Sequence, residues 1–427
     1  MPNEFFQQCS EICRDVGEYL LGYQRLTFPY FVLHDHVHSR NVYRNYLSIV
    51  SNSGLFQSLP PPIDALINCS SYLHDVGMSL PISFINELRL TVHEISDDSP
   101  EVGNKVKSCP SFLKDGHVYF PEKYSEKYTI SLPKEVADLI RTIHPWLSSK
   151  YTTATFGFRK ILSEEVPEKS SVKEAFLRAL STIIKYHSSK IDLRTRPREE
   201  KILDYRIDVV QLAAILRLAD ALDISKKRTK HAFDAWKGLF SDKPSQLKHW
   251  FFKWSIDKVE VKRGEISIRI TPSEDKYEEI GKIIGVALFE LGDNVAKDYN
   301  AYLEIINRPF QFNIVLPTSQ KVAVDLSELK QCYKTVTDTP LYRSIISQIP
   351  STEVEFLSLV RDLEERFNKE AISLTEENCK GNKTTKPDSL DLLAQSLYMK
   401  RGYSVIIEKL KGIKCVKYLL QQFKYEQ

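Results

Sequence analysis

The apolar run that starts at Ile63 ends in Tyr72-Leu73-His74-Asp75-Val76-Gly77, and this ending constrains the chain more than any other stretch. Ile63, Leu66, Ile67 and Leu73 follow helical spacing and predict a helix from Ile63 to Asp75. Pro60-Pro61-Pro62 opens it, because proline is tolerated in a first helical turn. A helix with that face must bury it, which carries the two polar residues at its end toward the interior. Polar groups there need partners. An imidazole nitrogen and a carboxylate oxygen suit the same borderline to hard divalent cations. The dipeptide alone is common by chance, so its meaning depends on what stands at the ends of other helices.

Other apolar runs carry similar groups. His34-Asp35-His36-Val37-His38 leads into a helix expected from Ser39 to Val50; the alternative is a polar loop of surface histidines. A helix from Pro133 to His144 is expected to stop at Pro145, and another runs from Val172 to His187. A histidine at a helix C-terminus is explained by capping and by the helix dipole, so ligation is one of two readings for each. Asp204 to Ile224 is strongly apolar, yet Arg217, Asp220 and Asp223 lie within it. Asp220 in such a setting needs a partner or a metal. Asp223 reads as an exposed residue, with an acceptor role behind the site as the alternative. Lys226, Lys227, Arg228 and Lys230 read as a solvated helix end, or else as a phosphate-attracting cluster.

The rest of the chain is expected to be mainly α. Residues 4–24 form an amphipathic helix, 26–31 a loop, 88–132 an irregular insertion and 194–201 a charged loop. Val259, Val261, Ile266, Ile268 and Ile270 alternate around Arg263-Gly264 and predict a β-hairpin. A helix over 277–306 and a strand over 310–316 complete a small α+β unit. Helices are expected over 326–332 and 352–373, a linker over 376–389 and a basic helical or mixed tail over 390–425. This divides the chain into a helical metal-site domain at 1–245, an α+β domain with its hairpin at 246–318, and a helical or mixed C-terminal region at 319–427.

Composition excludes little but sets the class. The chain has 427 residues, 42% hydrophobic and 27% charged, as in ordinary globular proteins. A net charge of +3 is too small to argue for nucleic acid by itself. Seven scattered cysteines without a CxxC pair argue against a disulfide framework or a zinc ribbon and for a reducing, cytoplasmic setting. Cys9 and Cys13, one turn apart, read as buried thiols. No apolar run has the length of a membrane span, no leader is expected, and no P-loop or GxGxxG is present.

Taken in order, His38, His74-Asp75, His144, His187 and Asp220 resemble the HD superfamily of metal-dependent phosphohydrolases, closest to its branch in bacterial conflict systems. The resemblance rests on "HSRNV" from His38, "YLHDVGM" from Tyr72 and "LRLADALDIS" from Leu216, and covers roughly residues 20–320. It implies an HD-type helical domain. His38, His74, Asp75 and Asp220 would hold a divalent metal (Mn, Fe, Mg or Ni). His144 and His187 would complete a second metal site or bind phosphate, and His34 would lie nearby. Asp75 would both bind metal and orient water; His144, His187, Arg217 and the 226–230 cluster would neutralise developing charge. After this His the family often has a basic residue and a Ser, whereas the run here is Pro145-Trp146-Leu147-Ser148. The implied activity is hydrolysis of a nucleotide or phosphodiester. A single-strand nuclease and a non-catalytic nucleotide-sensing module, with the C-terminal region binding a protein partner, are the alternatives.

Overall fold

The computed structural model describes residues 2–22, 34–121, 124, 132–166, 170–229, 244–338 and 413–423. The chain forms two compact units. Among the described residues, 2–223 and Asp298–Arg308 make the first; Ile224–Lys297, 309–338 and 413–423 make the second. Both units are mainly helical, with small sheets.

The first unit is built from helices α1 (Pro2–Leu21), α2 (His36–Ser53), α3 (Pro61–Leu73), α4 (Ile82–Glu87), α5 (Val92–Asp98), α6 (Pro100–Lys107), α7 (Lys134–Thr153), α8 (Phe158–Glu165), α9 (Ser170–Tyr186) and α10 (Val209–Ala221). Helix α3 is central: Ala65, Leu66, Ile67, Cys69 and Leu73 are buried, and α1, α2, α9 and α10 all pack on it. Cys9 and Cys13 of α1 are buried free thiols near Cys69, and burial pushes the Cys13 thiol well up. Tyr46 of α2 donates its hydroxyl to the Leu212 carbonyl at 2.6 Å, and Asn45 reaches the Ala219 carbonyl at 3.1 Å. These bonds fix the register of α2 on α10.

Several expectations need correction. The stretch after 88 is not irregular over its described part. Thr91 and Glu94 form a reciprocal cap that starts α5, Ser99 caps α6, and strands β1 (Leu113–Lys114) and β2 (His117–Val118) pair antiparallel. Pro145 does not stop α7, which continues for two more turns to Thr153. The charged segment after Arg194 contains strand β3 (Glu199–Ile202), paired with β4 (Tyr205–Asp208); Asp208 then caps α10, so that helix starts at Val209 and not at the expected Asp204.

In the second unit, α11 (Pro244–Trp254) precedes a four-stranded sheet of β5 (Ile256–Lys262), β6 (Glu265–Ile270), β7 (Gln311–Val315) and β8 (Lys321–Val324). The expected hairpin is β5–β6, and β6 pairs parallel with β7. Between β6 and β7 the chain runs through α12 (Lys276–Gly285), a π-helical segment Val286–Val295 and α13 (Ala296–Ile306), whose residues from Asp298 belong to the first unit. Helix α14 (Leu326–Asp338) follows β8, and α15 (Lys414–Gln422) packs on it. The expected loop at 26–31, the helix at 352–373, the linker at 376–389 and most of the tail lie outside the described residues. No described helix is long and apolar enough to cross a membrane.

Candidate metal centre

Four imidazoles and two carboxylates meet in the first unit. All but His144 are placed at or beside a helix end. Asp35 caps α2, accepting from the N–H groups of Val37 and His38 at 3.0 and 3.2 Å, which puts His38 in the first turn. His74 is the residue at which α3 ends. Asp75 follows with φ −104° and ψ 1°, in the bridge region where many active-site residues sit. A 3₁₀ turn, Val76–Met78, then lies against α7, and Gly77 donates its N–H to Ser148 Oγ at 2.8 Å. His144 projects from the middle of α7, His187 follows the end of α9, and Asp220 lies in the last turn of α10.

The ring nitrogens converge in two groups that share Asp75. His38 Nε2 lies 3.2 Å from Asp75 Oδ2, 3.3 Å from Asp220 Oδ1 and 3.3 Å from His74 Nε2. His74 Nε2 lies 3.2 Å from Asp75 Oδ2 and 4.0 Å from Asp220 Oδ1. On the other side, Asp75 Oδ1 is 3.2 Å from His144 Nε2 and 3.8 Å from His187 Nε2, which are themselves 3.2 Å apart. The sets His38–His74–Asp220 and Asp75–His144–His187 each have the spacing to hold a metal ion. Donors about 2.1 Å from one ion sit about 3.0–3.4 Å from their neighbours, so most of these separations are edges of a coordination polyhedron.

The opposite nitrogen of every ring is already engaged. His74 Nδ1 faces the Ser71 carbonyl at 3.0 Å, His144 Nδ1 the Arg141 carbonyl at 2.6 Å, and His187 Nδ1 the Ile184 carbonyl. His38 Nδ1 faces Asp223 Oδ2 at 2.7 Å. Each acceptor fixes its proton on Nδ1 and leaves the Nε2 lone pair facing inward. Pro145 has a part in this. Residue 145 of a regular helix would donate to the carbonyl of residue 141. Proline has no N–H, so the Arg141 carbonyl is released to hold His144.

The interior of the cluster therefore consists of acceptors. Asp75 Oδ2 is buried and has no hydrogen-bond partner. A buried carboxylate oxygen surrounded by lone pairs is costly unless a cation compensates it. The donor set fits a divalent ion. Without a metal ion, protons on the facing rings take its place: burial by itself raises the Asp75 carboxyl, but charge on His74 and hydrogen bonds from His144 and His38 outweigh it and hold the group well below the usual carboxylate range. Asp220 is likewise lowered: burial opposes this, and His38 and His74 prevail. Burial, together with His74 and His144, pushes His187 down to about 3, so it is neutral and ready to ligate at neutral pH.

Two ligands are open to solvent. The side chain of Asp220 is 34% exposed and that of His144 17%, while His38 and His74 are fully buried. The mouth of the site is on the Asp220–His144 side. His34 packs edge-on against His38, with ring centroids 5.3 Å apart, but is not one of the converging donors.

Arg217 is directed elsewhere. Its Nε and one terminal nitrogen donate to the carbonyls of Tyr186 and Ile191, each at 2.7 Å, so it braces the backbone on both sides of His187. Asp223 was expected to be exposed; it is buried and holds both His38 and Asn41. Of the basic run after residue 225, Lys226 pairs with Asp257 and Arg228 is buried, while Lys230 lies outside the described residues.

The HD-CE family model matches residues 28–297, more than half of the chain. The chain belongs to the HD-CE family. The matched range spans all the converging histidines and aspartates and supports an HD-type domain. No match was found among curated proteins or among solved structures.

Proposed function

We propose that this HD-CE protein is a metal-dependent phosphohydrolase or phosphodiesterase acting on a nucleotide-type substrate. The observation that carries the reading is the acceptor-lined cage, in which Asp75 turns one oxygen toward each group of ligands. His38, His74, Asp75 and Asp220 would hold one divalent ion; Asp75, His144 and His187 would hold a second. A bound divalent ion lowers the pKa of water and neutralises charge on phosphate oxygens. The chain's own residues supply the rest. Asp75 is placed to accept a hydrogen bond from an attacking water. His144, at the mouth, would hold the second ion where a substrate phosphate could approach it. The buried walls around His38 and His74 keep bulk water out. Arg217 acts through His187, whose flanking backbone it holds.

A nuclease would need a basic path for a strand. The 226–230 run is a short one: of its described cations Lys226 is paired with Asp257 and Arg228 is buried, which leaves Lys227 exposed. A small nucleotide or cyclic dinucleotide is therefore the favoured substrate class. By resemblance, the setting is a bacterial conflict system, with residues 319–427 as a partner-binding region. The test is a hydrolysis screen of deoxynucleoside triphosphates, cyclic dinucleotides and single-stranded DNA with Mn²⁺, on wild type and His74→Ala. Metal and activity should be lost together. Hydrolysis retained by a folded, metal-free His74→Ala protein would sink the reading; single-stranded DNA as the sole substrate would favour the nuclease, and tight nucleotide binding without turnover the sensor.

A further inference from the structure

Three of the four imidazoles are held in one way and the fourth in another. His74, His144 and His187 each give Nδ1–H to the carbonyl three residues earlier, at Ser71, Arg141 and Ile184. Such carbonyls lack the usual donor four residues on, at a helix C-terminus or at residue 141 because of Pro145. His38 cannot use this device. It is the third residue of α2, where a helix presents unpaired N–H groups, two of them taken by Asp35. Its Nδ1 bonds a carboxylate from a distant part of the chain, Asp223 Oδ2, at 2.7 Å. The other oxygen of Asp223 accepts from Asn41 Nδ2 at 3.0 Å, one turn further along α2. Asp223 is 2% exposed.

The charges are divided unequally as a result. The His38–His74–Asp220 group has its own carboxylate, shares Asp75, and has Asp223 behind one ring. The Asp75–His144–His187 group has only the shared carboxylate, and neutral carbonyls stand behind its rings. A carboxylate behind a ligating imidazole raises its basicity.

We propose that Asp223 is a positioning residue that makes the two metal positions unequal. The His38–His74–Asp220 position binds a divalent ion tightly. The Asp75–His144–His187 position binds one weakly, and an anionic substrate that supplies the missing negative charge tightens it. This rests on reading the cage as a metal centre, as above, but not on the reaction being phosphate hydrolysis.

The test is Mn²⁺ titration of the full-length protein by calorimetry and by equilibrium dialysis with elemental analysis. The variants are Asp223→Asn, Asp223→Ala and His144→Ala, each checked for wild-type circular dichroism. Asp223→Asn keeps an oxygen to accept from His38 and removes the charge, and the Asn41 amide can turn its oxygen to the new NH2, so this variant carries the test should the alanine variant fail to fold. Wild type should bind in two unequal steps. The tight step should weaken about tenfold in Asp223→Asn and about a hundredfold in Asp223→Ala, with the weak step moving less. His144→Ala should lose the weak step and keep the tight one. Equal steps in wild type, an unchanged tight step in Asp223→Asn, or equal weakening of both steps would overturn the proposal. Absence of any binding by wild type would overturn the function as well. Two unequal steps without hydrolysis of any phosphate ester would leave this inference standing and remove only the phosphohydrolase reading.

Discussion

Gly77→Ala should spread the two halves of the site apart. A Cβ at residue 77 would lie 2.6 Å from the His144 carbonyl oxygen, 2.9 Å from Leu147 Cβ and 2.9 Å from the Ser148 nitrogen. All three belong to α7, and two are backbone atoms that no rotamer change can move. Relief to an ordinary contact of 3.4 Å needs a shift of about 3.4 − 2.6 = 0.8 Å. Taken up along the line to Asp75, that shift opens the 3.2 Å separation between Asp75 Oδ1 and His144 Nε2 to about 4.0 Å, beyond a coordination edge. It also strains the bond from the Gly77 N–H to Ser148 Oγ. Overpacking of this kind costs on the order of 1–3 kcal/mol, and a unit of this size loses about 2–4 °C in Tm per kcal/mol. Two assays read the two consequences: thermal unfolding of the metal-free protein, and Mn²⁺ stoichiometry by equilibrium dialysis. We expect a lowered Tm and loss of the Asp75–His144–His187 ion, with the other ion retained. An alanine variant with wild-type Tm and wild-type stoichiometry would refute the reasoning that close approach of the 3₁₀ turn to α7 sets the site.

Other expectations follow from single contacts. Arg217→Ala leaves the buried carbonyls of Tyr186 and Ile191 without their donor, and burial holds that guanidinium down to about 10, so a loss of about 2–4 kcal/mol is expected in urea unfolding, before any change in substrate affinity. Pro145→Ala returns an N–H to compete for the Arg141 carbonyl; α7 should become more stable while the weaker metal step loses affinity, read by Tm and by titration of the same samples. The metal-free protein should lose stability as pH falls. His187 titrates near 3 when folded and near 6.5 when unfolded, so between these values the unfolded chain binds the extra proton. Stability from this residue is whole above pH 6.5 and declines by up to about 1.4 kcal/mol per pH unit below it. Denaturant curves at pH 5 and 7 should show a smaller difference for His187→Gln than for wild type.

The parts legible in the sequence were those written in helical periodicity. The apolar runs at Ile63–Leu73, Val172–Ile184 and Val209–Leu222 placed α3, α9 and α10, and the polar residues at their ends converge in space. The alternation around Arg263-Gly264 gave the hairpin. What escaped depends on short-range polar bonds that periodicity does not register. Helices α5 and α6 have seven and eight residues and are set by Thr91, Glu94 and Ser99, although Thr91-x-x-Glu94 was a readable cap. Pro145 read as a stop because proline usually ends helices; within α7 it frees a carbonyl that a neighbouring histidine uses. Asp223 and Arg217 sit on one run, three residues on either side of Asp220. Spacing alone could not tell which would hold a ligand and which would hold backbone.

The most direct measurement is anomalous diffraction from crystals of the protein soaked in Mn²⁺. The account expects one peak among His38, His74, Asp75 and Asp220, and a second among Asp75, His144 and His187, with one Asp75 oxygen on each. Peaks elsewhere, or none within ligand reach of Asp75, would contradict it.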